Sequence, residues 1–544
     1  MAAEMTQGYQ TRSASLGRWQ GLGRTGRVTS RAVLPLSSSR RSLLVRLTVA
    51  AVITAGLVFR FWTRSPLWLD EALTVNIAKL PLSDIGAALR HDGHPPLYYW
   101  LLHGWMAVFG SSNEAVRALS GVMATALMPL VYVAGYRLTP SATANVRRRA
   151  GWVCVIVVAL NPFVIRYATE ARMYAMVMVL GVGLLLLLDN AVKSTTFFRL
   201  AAVGITSGAL LLTHYWALYY LAVIGLVLVV WAITRPASRP IAVRCAGAVA
   251  SGLVLFSWWV PAMSDQARHT GTPWAAPANP LTVVVLTLSD TGGLIRVEQQ
   301  GFALLAAVLL VFGLLGRTTP EGLIIERRVQ LDVRLLAIIV AGTMAVGTVA
   351  GYASSSTFIS RYAAVYMPLL LIVTGLGIAR LGNQRWIIGV LVIVSSLGLV
   401  AGGRNVKTER TQAGRIAAII NAKGHVGDVV IFCPDQLGPA VNRLLDARFE
   451  QSTFPIGASP VLVEWRDYAE RNAAGDAFGF ARRASARAGA HSVWLIWSDE
   501  YRGVQGKCSQ IGGQLALERL SGDPLVKPDK TYERAFLSEF AARG

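Results

Sequence analysis

From Leu43 to Gly402 the chain is a succession of apolar runs, most of them long enough to cross ~30 Å of hydrocarbon as helices, and every second loop between them is basic. The runs lie near 43–62, 117–138, 150–166, 172–190, 199–213, 215–233, 242–262, 301–316, 335–352, 363–380 and 386–402. With about eleven spans, one set of loops holds Arg137 and Arg147–Arg149, then Lys193 and Arg199, then Arg235, Arg239 and Arg244, then Arg317, Arg327, Arg328 and Arg334, and last Arg380 and Arg385. Basic residues collect in loops that stay inside, so a count wrong by one in the middle would put later basic loops on the wrong side. The expected fold class is therefore mainly α, a polytopic membrane helical bundle with its N-terminus cytoplasmic, multi-pass in the cell's inner (plasma) membrane. Hydrophobic residues make up 53% of the chain and charged residues only 15%, against about 25% charged in soluble domains. The formal charge of +22 sits almost entirely in the tail and the inward loops, which leaves no nucleic-acid partner to expect.

Residues 1–42 are polar, rich in Ser, Gly and Arg, and read as a disordered basic cytoplasmic tail. Residues 43–402 form the membrane domain, whose first outer loop is 63–116. Within that loop PPLYYWLLHGWMAVFG, residues 95–110, is too short and too rich in rings for a span, and fits an interfacial or re-entrant helix. Residues 403–544 lack long apolar runs and nearly balance their charges. There GRIAAIINAKG and LGPAVNRLLDAR read as helices, and DVVIFCP and SVWLIWSDEY as strands, which together make a small extracytoplasmic α/β domain. Cys433 and Cys508 are candidates for a disulfide there, against the plainer reading of Cys433 as a packed residue at the end of a core strand. The sequence shows no internal repeat, no Walker loop and no dinucleotide-binding glycine fingerprint.

This topology gathers the unusual polar residues on the outer side. They are Asp70 and Glu71 in SPLWLDEALT, then His91, Asp92 and His94 in RHDGHPPLYY, and Glu114 with Arg117 where the second span opens. Further on come Glu170, Arg172 and Tyr174 in IRYATEARMY, then His214 in LLTHYW, and Arg361 with Tyr362 in SRY. Each has a plain structural reading as well: helix N-terminal acids for Asp70 and Glu71, an ion pair joining two spans for Glu170 and Arg172, an interfacial ring for His214, a snorkelling side chain for Arg361. Ionisable groups at membrane depth mark function by default, and here acids, arginines and histidines return to one face from distant parts of the chain. A carboxylate can take the proton of a hydroxyl while arginines hold the charge of a departing phosphate. A membrane-embedded phosphate donor with that chemistry is a sugar on a polyprenyl phosphate.

In order along the chain, WLDEALT, GHPPLYYWLL, EAVRALSG, RYATEARMYA, THYWALYYL and SRYAAVYMPLLL resemble glycosyltransferase family 39 and its relatives in the GT-C superfamily, over roughly residues 44–380. That group includes protein O-mannosyltransferases and lipid A aminoarabinose transferases. The resemblance implies inverting transfer of a hexose or pentose from a polyprenyl-phosphate donor to an acceptor hydroxyl of a protein, lipid or cell-envelope glycan at the extracytoplasmic face. It assigns catalytic roles to Asp70, as base, and to Glu71 and Glu170. For substrate binding it carries over Arg117, as a donor or structural contact, with Arg172 and Arg361 for the phosphate; His91, Asp92, His94, Tyr174, His214 and Tyr362 join them as candidates from their own place on the outer face. Some relatives hold a metal near this site, and Glu170 with His214 are the residues here that offer ligands to a divalent ion. The cofactor is otherwise unknown. Large domains inserted between later spans of some relatives have no counterpart in the 263–300 loop. The competing expectation is a polyprenyl-phosphate flippase or transporter without bond chemistry, which gives no reason for adjacent carboxylates after the first span. A membrane-anchored binding protein or sensor, with the C-terminal domain as its working part, is the third.

Overall fold

The computed structural model describes residues 38–544 apart from 141, 271–278, 294–296, 321, 354–357, 502 and 544. The expected tail therefore lies mostly outside the described residues, and its last five positions belong to the helix Ser38–Phe61. Residues Met1–Thr48 separate as a unit of their own, and Val49–Gly544 form the second, larger unit.

Each apolar run read from the sequence falls on a helix. Among the described residues six helices are long and apolar enough to cross a membrane, or seven when the bent pair Ala144–Ala159 and Pro162–Ala168 counts as one span. Phe197–Leu211, Pro280–Asp290, Gln299–Leu315 and Met367–Ala379 are apolar but shorter. The chain is an integral membrane protein. Helices 197–211 and 239–256 approach closely because small residues face each other: a Cβ on Gly252 would stand 2.6 Å from that of Ser207, the kind of contact that replaces hydrophobic driving force inside lipid.

The bent pair turns through 60°, and its sequence shows why. Pro162 cannot donate to the preceding turn, and Asn161 caps the new helix by accepting from Val164 N at 3.1 Å. At the bend the ordinary i to i+4 pattern stops, and Val158 O accepts from Asn161 N at 3.3 Å instead. Buried Arg60 adds its own donors there, to Ala159 O at 2.7 Å and Val158 O at 3.0 Å, since backbone groups at membrane depth need partners. This corner sets the direction of the RYATEAR turn that follows.

The first outer loop carries three short helices, Leu69–Ala78, Leu82–Asp92 and Leu97–Phe109. The last covers the segment expected to be interfacial and has 13 residues. Gly93 ends the second helix at φ 90°, the left-handed cap that glycine takes without strain.

After a hairpin, β1 (Gly316–Thr319) with β2 (Gly322–Ile325), all remaining strands lie in the C-terminal domain: β3 (Val429–Cys433), β4 (Glu450–Thr453), β5 (Val493–Trp497), β6 (Leu520–Ser521) and β7 (Phe536–Ala541). Their order is β4-β3-β5-β7-β6, with β4, β3 and β5 parallel and β7 antiparallel to β5. Parallel strands are covered on both faces, and alternate residues divide accordingly. Val429, Ile431, Val493 and Leu495 meet Phe480, Ala484, Ile511 and Leu515 of the helices Ala477–Ala488 and Lys507–Glu518. Val430, Phe432, Trp494 and Ile496 face the other way, into the core shared with the membrane helices. Cys433 and Cys508 are joined in a disulfide, Cα–Cα 5.4 Å.

Glu533, in the segment before β7, is 5% exposed, and burial pushes its carboxyl up to about 8. The unfolded chain ionises this group near its ordinary value while the folded chain keeps it protonated, so stability present at low pH is lost as pH rises through about 8. Glu533→Gln should remove that decline. In thermal unfolding of the full chain, the variant should gain on the wild type between pH 5 and pH 8.

Candidate active site

The helix Leu69–Ala78 starts two sequence neighbours in different directions. Asp70 is part-exposed, and its Oδ2 accepts from Arg361 Nη1 at 2.7 Å. Glu71 is fully buried. Its carboxylate takes both Nε and Nη2 of Arg117, at 2.7 and 2.6 Å, and Ala171 N at 2.9 Å. Burial pushes this carboxyl up, but the Arg117 guanidinium, with help from Arg410, outweighs it and holds the group below its ordinary range. Arg117 spends its remaining donors on the carbonyls of Ser65, 2.7 Å, and Pro66, 3.0 Å.

Glu170 is in the same buried layer as Glu71. It accepts from Arg166 Nε at 2.6 Å, and Arg410 Nη1 stands 3.8 Å from both Glu71 and Glu170. Arg410 itself donates to Thr169 O and Oγ1, 2.7 and 2.6 Å. Glu71, expected to position the acceptor or Asp70, Arg117, expected as a donor or structural contact, and Glu170, expected as an ion-pair or functional acid, thus meet in a buried network that fastens the loop helix, the second span and the RYATEAR turn together. Of the adjacent pair, Asp70 is the part-exposed carboxylate.

Arg172 is 2% exposed and lies against the helix of Asp70. Its Nη1 donates to Thr74 Oγ1 at 2.7 Å and to the Asp70 carbonyl at 3.3 Å. Its Nη2 reaches His94 Nε2 at 3.0 Å, and His94 Nδ1 is 2.8 Å from Asp92 Oδ2. An arginine can only donate, so His94 accepts at Nε2 and carries its proton on Nδ1, donating it to Asp92. Tyr99 Oη donates to the same Asp92 oxygen at 2.8 Å. Burial raises the Asp92 carboxyl, but His94 first, then Arg172 and Tyr99, bring it below its ordinary value. The result is a fixed relay, Asp92–His94–Arg172, that orients the guanidinium.

Around Arg361 stand four rings. Tyr362 lies 5.4 Å from His214 and 5.9 Å from Trp216, and His214 is 5.9 Å from Tyr174. Arg361 Nε, Arg172 Nε and Tyr174 Oη are buried polar atoms without a hydrogen-bond partner among the described residues. Buried donors are almost always satisfied, so three orphans at one place mark where a polar ligand group belongs.

His91 does not join this group: it pairs with Glu464 of the C-terminal domain, Nδ1 to Oε2 2.6 Å. A metal centre at Glu170 and His214 does not fit the residues present. Glu170 is taken by Arg166, His214 Nδ1 accepts from Trp216 N at 3.1 Å, and no group of three or more His, Cys, Asp and Glu suited to a metal occurs among the described residues. Sequence reasoning missed Thr74, Tyr99 and Arg410. The first two stand inside motifs already singled out, one helical turn after Asp70 and beside Tyr98. Arg410 gives no signal, because it reaches the layer from beyond the last span.

No family model matches the sequence, and no curated protein matches it. Solved structures do match. The chain is similar to ArnT from Cupriavidus metallidurans in the apo state, at 13% identity and TM-score 0.56, over 92% of this chain and 98% of that one. It is similar to the same protein bound to undecaprenyl phosphate, at 12% identity and TM-score 0.54 over the same shares. Nearly end to end, then, the chain has the fold of ArnT.

Proposed function

We propose that this protein is a polyprenyl-phosphate-dependent membrane glycosyltransferase acting at the extracytoplasmic face, with its N-terminus cytoplasmic and residues 403–544 outside. The observation that carries the reading is the pairing of Asp70 with Arg361 at 2.7 Å, beside the unpartnered buried donors Arg361 Nε and Arg172 Nε, in a chain whose fold is that of a protein solved with undecaprenyl phosphate.

The chemistry follows from those groups. A phosphate oxygen of the donor competes with Asp70 for the Arg361 guanidinium and meets the unpartnered Nε of Arg172, which the His94–Asp92 relay holds in place. Asp70, released from its partner, accepts the proton of the acceptor hydroxyl. The acceptor oxygen then bonds to the sugar's anomeric carbon from the side opposite the phosphate. The anomeric C–O bond breaks, its electron pair leaves on the phosphate, and the configuration inverts. Arg361 and Arg172 hold the charge that grows there. In this reading Glu71, Glu170 and Arg117 are positioning residues. The rings of Tyr174, His214, Trp216 and Tyr362 enclose the sugar. The donor sugar is a hexose or pentose.

The test is reconstitution of purified protein in vesicles with radiolabelled undecaprenyl-phosphate mannose or arabinose and a hydroxyl acceptor mixture from the cell envelope. Label moving to acceptor, with release of undecaprenyl phosphate, is expected. Label crossing the bilayer with its bond intact would identify a flippase instead.

A further inference from the structure

Between the first outer loop and the C-terminal domain lies a cavity of about 510 Å³, within the size range of sites for small molecules. Leu73, Ile77 and Asp92 wall it on the loop side, and Asp435, Ser459 and Leu462 on the domain side. We infer that this cavity is the acceptor subsite and that it takes a neutral glycan, whose hydroxyl it presents to Asp70. The inference rests on the transferase reading.

Position is the first support. Asp70, Leu73 and Ile77 are spaced i, i+3 and i+7 on the helix Leu69–Ala78 and so share one face. The cavity therefore opens about one helical turn, ~5 Å, from the base. Asp92 borders it as well and is the anchor of the relay to Arg172.

Chemistry is the second. Asp435 is 4% exposed; its Oδ1 makes no close hydrogen bond among the described residues, and the Tyr468 hydroxyl that bears on it is itself unsatisfied. Asp435 Oδ2 stands 3.6 Å from Arg471. A buried bare acceptor is costly, and a ligand hydroxyl would satisfy it. An isoprenoid tail would leave it unsatisfied. Asp92, Asp435 and Glu464 outnumber Arg471 among the charged side chains of the lining, a balance that disfavours an anionic acceptor such as a phosphorylated lipid headgroup. The apolar side chains Leu73, Ile77 and Leu462 suit the C–H face of a sugar ring. A peptide adding to the sheet is disfavoured, because the edge strand β4 is already closed there by Thr453 N donating to Ala458 O at 2.9 Å.

Access is the third. Ser459 and Leu462 lie at the exposed rim, while Asn76 Nδ2 donates to Val461 O at 2.7 Å and His91 pairs with Glu464. These contacts tie the rim to the catalytic loop, so the C-terminal domain completes the subsite.

The experiment uses the full-length protein in nanodiscs and reads binding by saturation-transfer NMR with mannotriose, mannotriose 6-phosphate and a Ser/Thr peptide. Mannotriose should bind saturably and the other two should not. Asp435→Asn should weaken mannotriose about tenfold or more, and Ser459→Trp or Leu462→Trp, at exposed positions that tolerate bulk, should abolish it. All three variants should keep wild-type thermal unfolding and wild-type retention of undecaprenyl-phosphate mannose. Preference for the phosphorylated sugar or the peptide, or mannotriose binding unchanged in the two tryptophan variants, overturns the inference. The transferase reading fails separately, when wild type consumes no donor with any acceptor.

Discussion

Asp70→Asn should lower the rate of sugar transfer by ~10²–10⁴-fold, the range for loss of a positioned general base. The amide keeps the shape of the carboxylate and can still meet Arg361 through its carbonyl oxygen, so the protein should unfold at the wild-type temperature and retain undecaprenyl-phosphate sugar. It cannot accept the hydroxyl proton. The measurement is kcat with labelled donor at saturating acceptor, beside a donor-retention assay on the same preparation. Wild-type turnover in this variant would remove Asp70 from the chemistry. Loss of donor retention with normal unfolding would place it in binding instead.

The second large effect is on stability. Arg117→Ala leaves Glu71, fully buried, without the two hydrogen bonds at 2.7 and 2.6 Å that neutralise it. Breaking a buried pair from one side costs about 3–5 kcal/mol, because the surviving charge stays out of water. Arg117 also secures the carbonyls of Ser65 and Pro66, so the entry to the Asp70 helix should loosen with it. Thermal unfolding in detergent should show a large drop for Arg117→Ala and for Glu71→Gln. The pair Glu71→Leu with Arg117→Leu should recover part of the loss, since neither charge then remains. If Glu71→Gln unfolded normally and lost turnover, Glu71 would return to the catalytic group where its motif first placed it.

Glu71 shows where sequence reading stopped short. The sequence treats the adjacent carboxylates after the span as a pair, and in the structure they diverge because successive helical side chains are about 100° apart. One of the two turned to Arg361 and the other into a layer of arginines. Glu170 is drawn into the same layer, because Arg166 and Arg410, which face it, come from a bend and from beyond the last span, and Arg117 is held there by Glu71 and the carbonyls of Ser65 and Pro66. His91 was grouped with Asp92 and His94 by adjacency, yet it lies on the outer side of its helix and pairs with Glu464. By contrast, Arg361 and Arg172, named from single short motifs, both reach the helix of Asp70.

Apolar length and basic loops depend only on local composition, since lipid demands that each span satisfy its own backbone. They anticipated helices at the apolar runs and a small sheet domain after them. The ordered motifs, likewise local, anticipated a fold of the kind seen in ArnT. Which acid stays part-exposed, which arginine lacks a partner and how the C-terminal domain closes over the loop depend on contacts between residues as many as 385 positions apart, as between Asn76 and Val461. Those were decided by tertiary packing, because a charged group's role is fixed by what neutralises it, and no spacing within one segment records a neighbour from another.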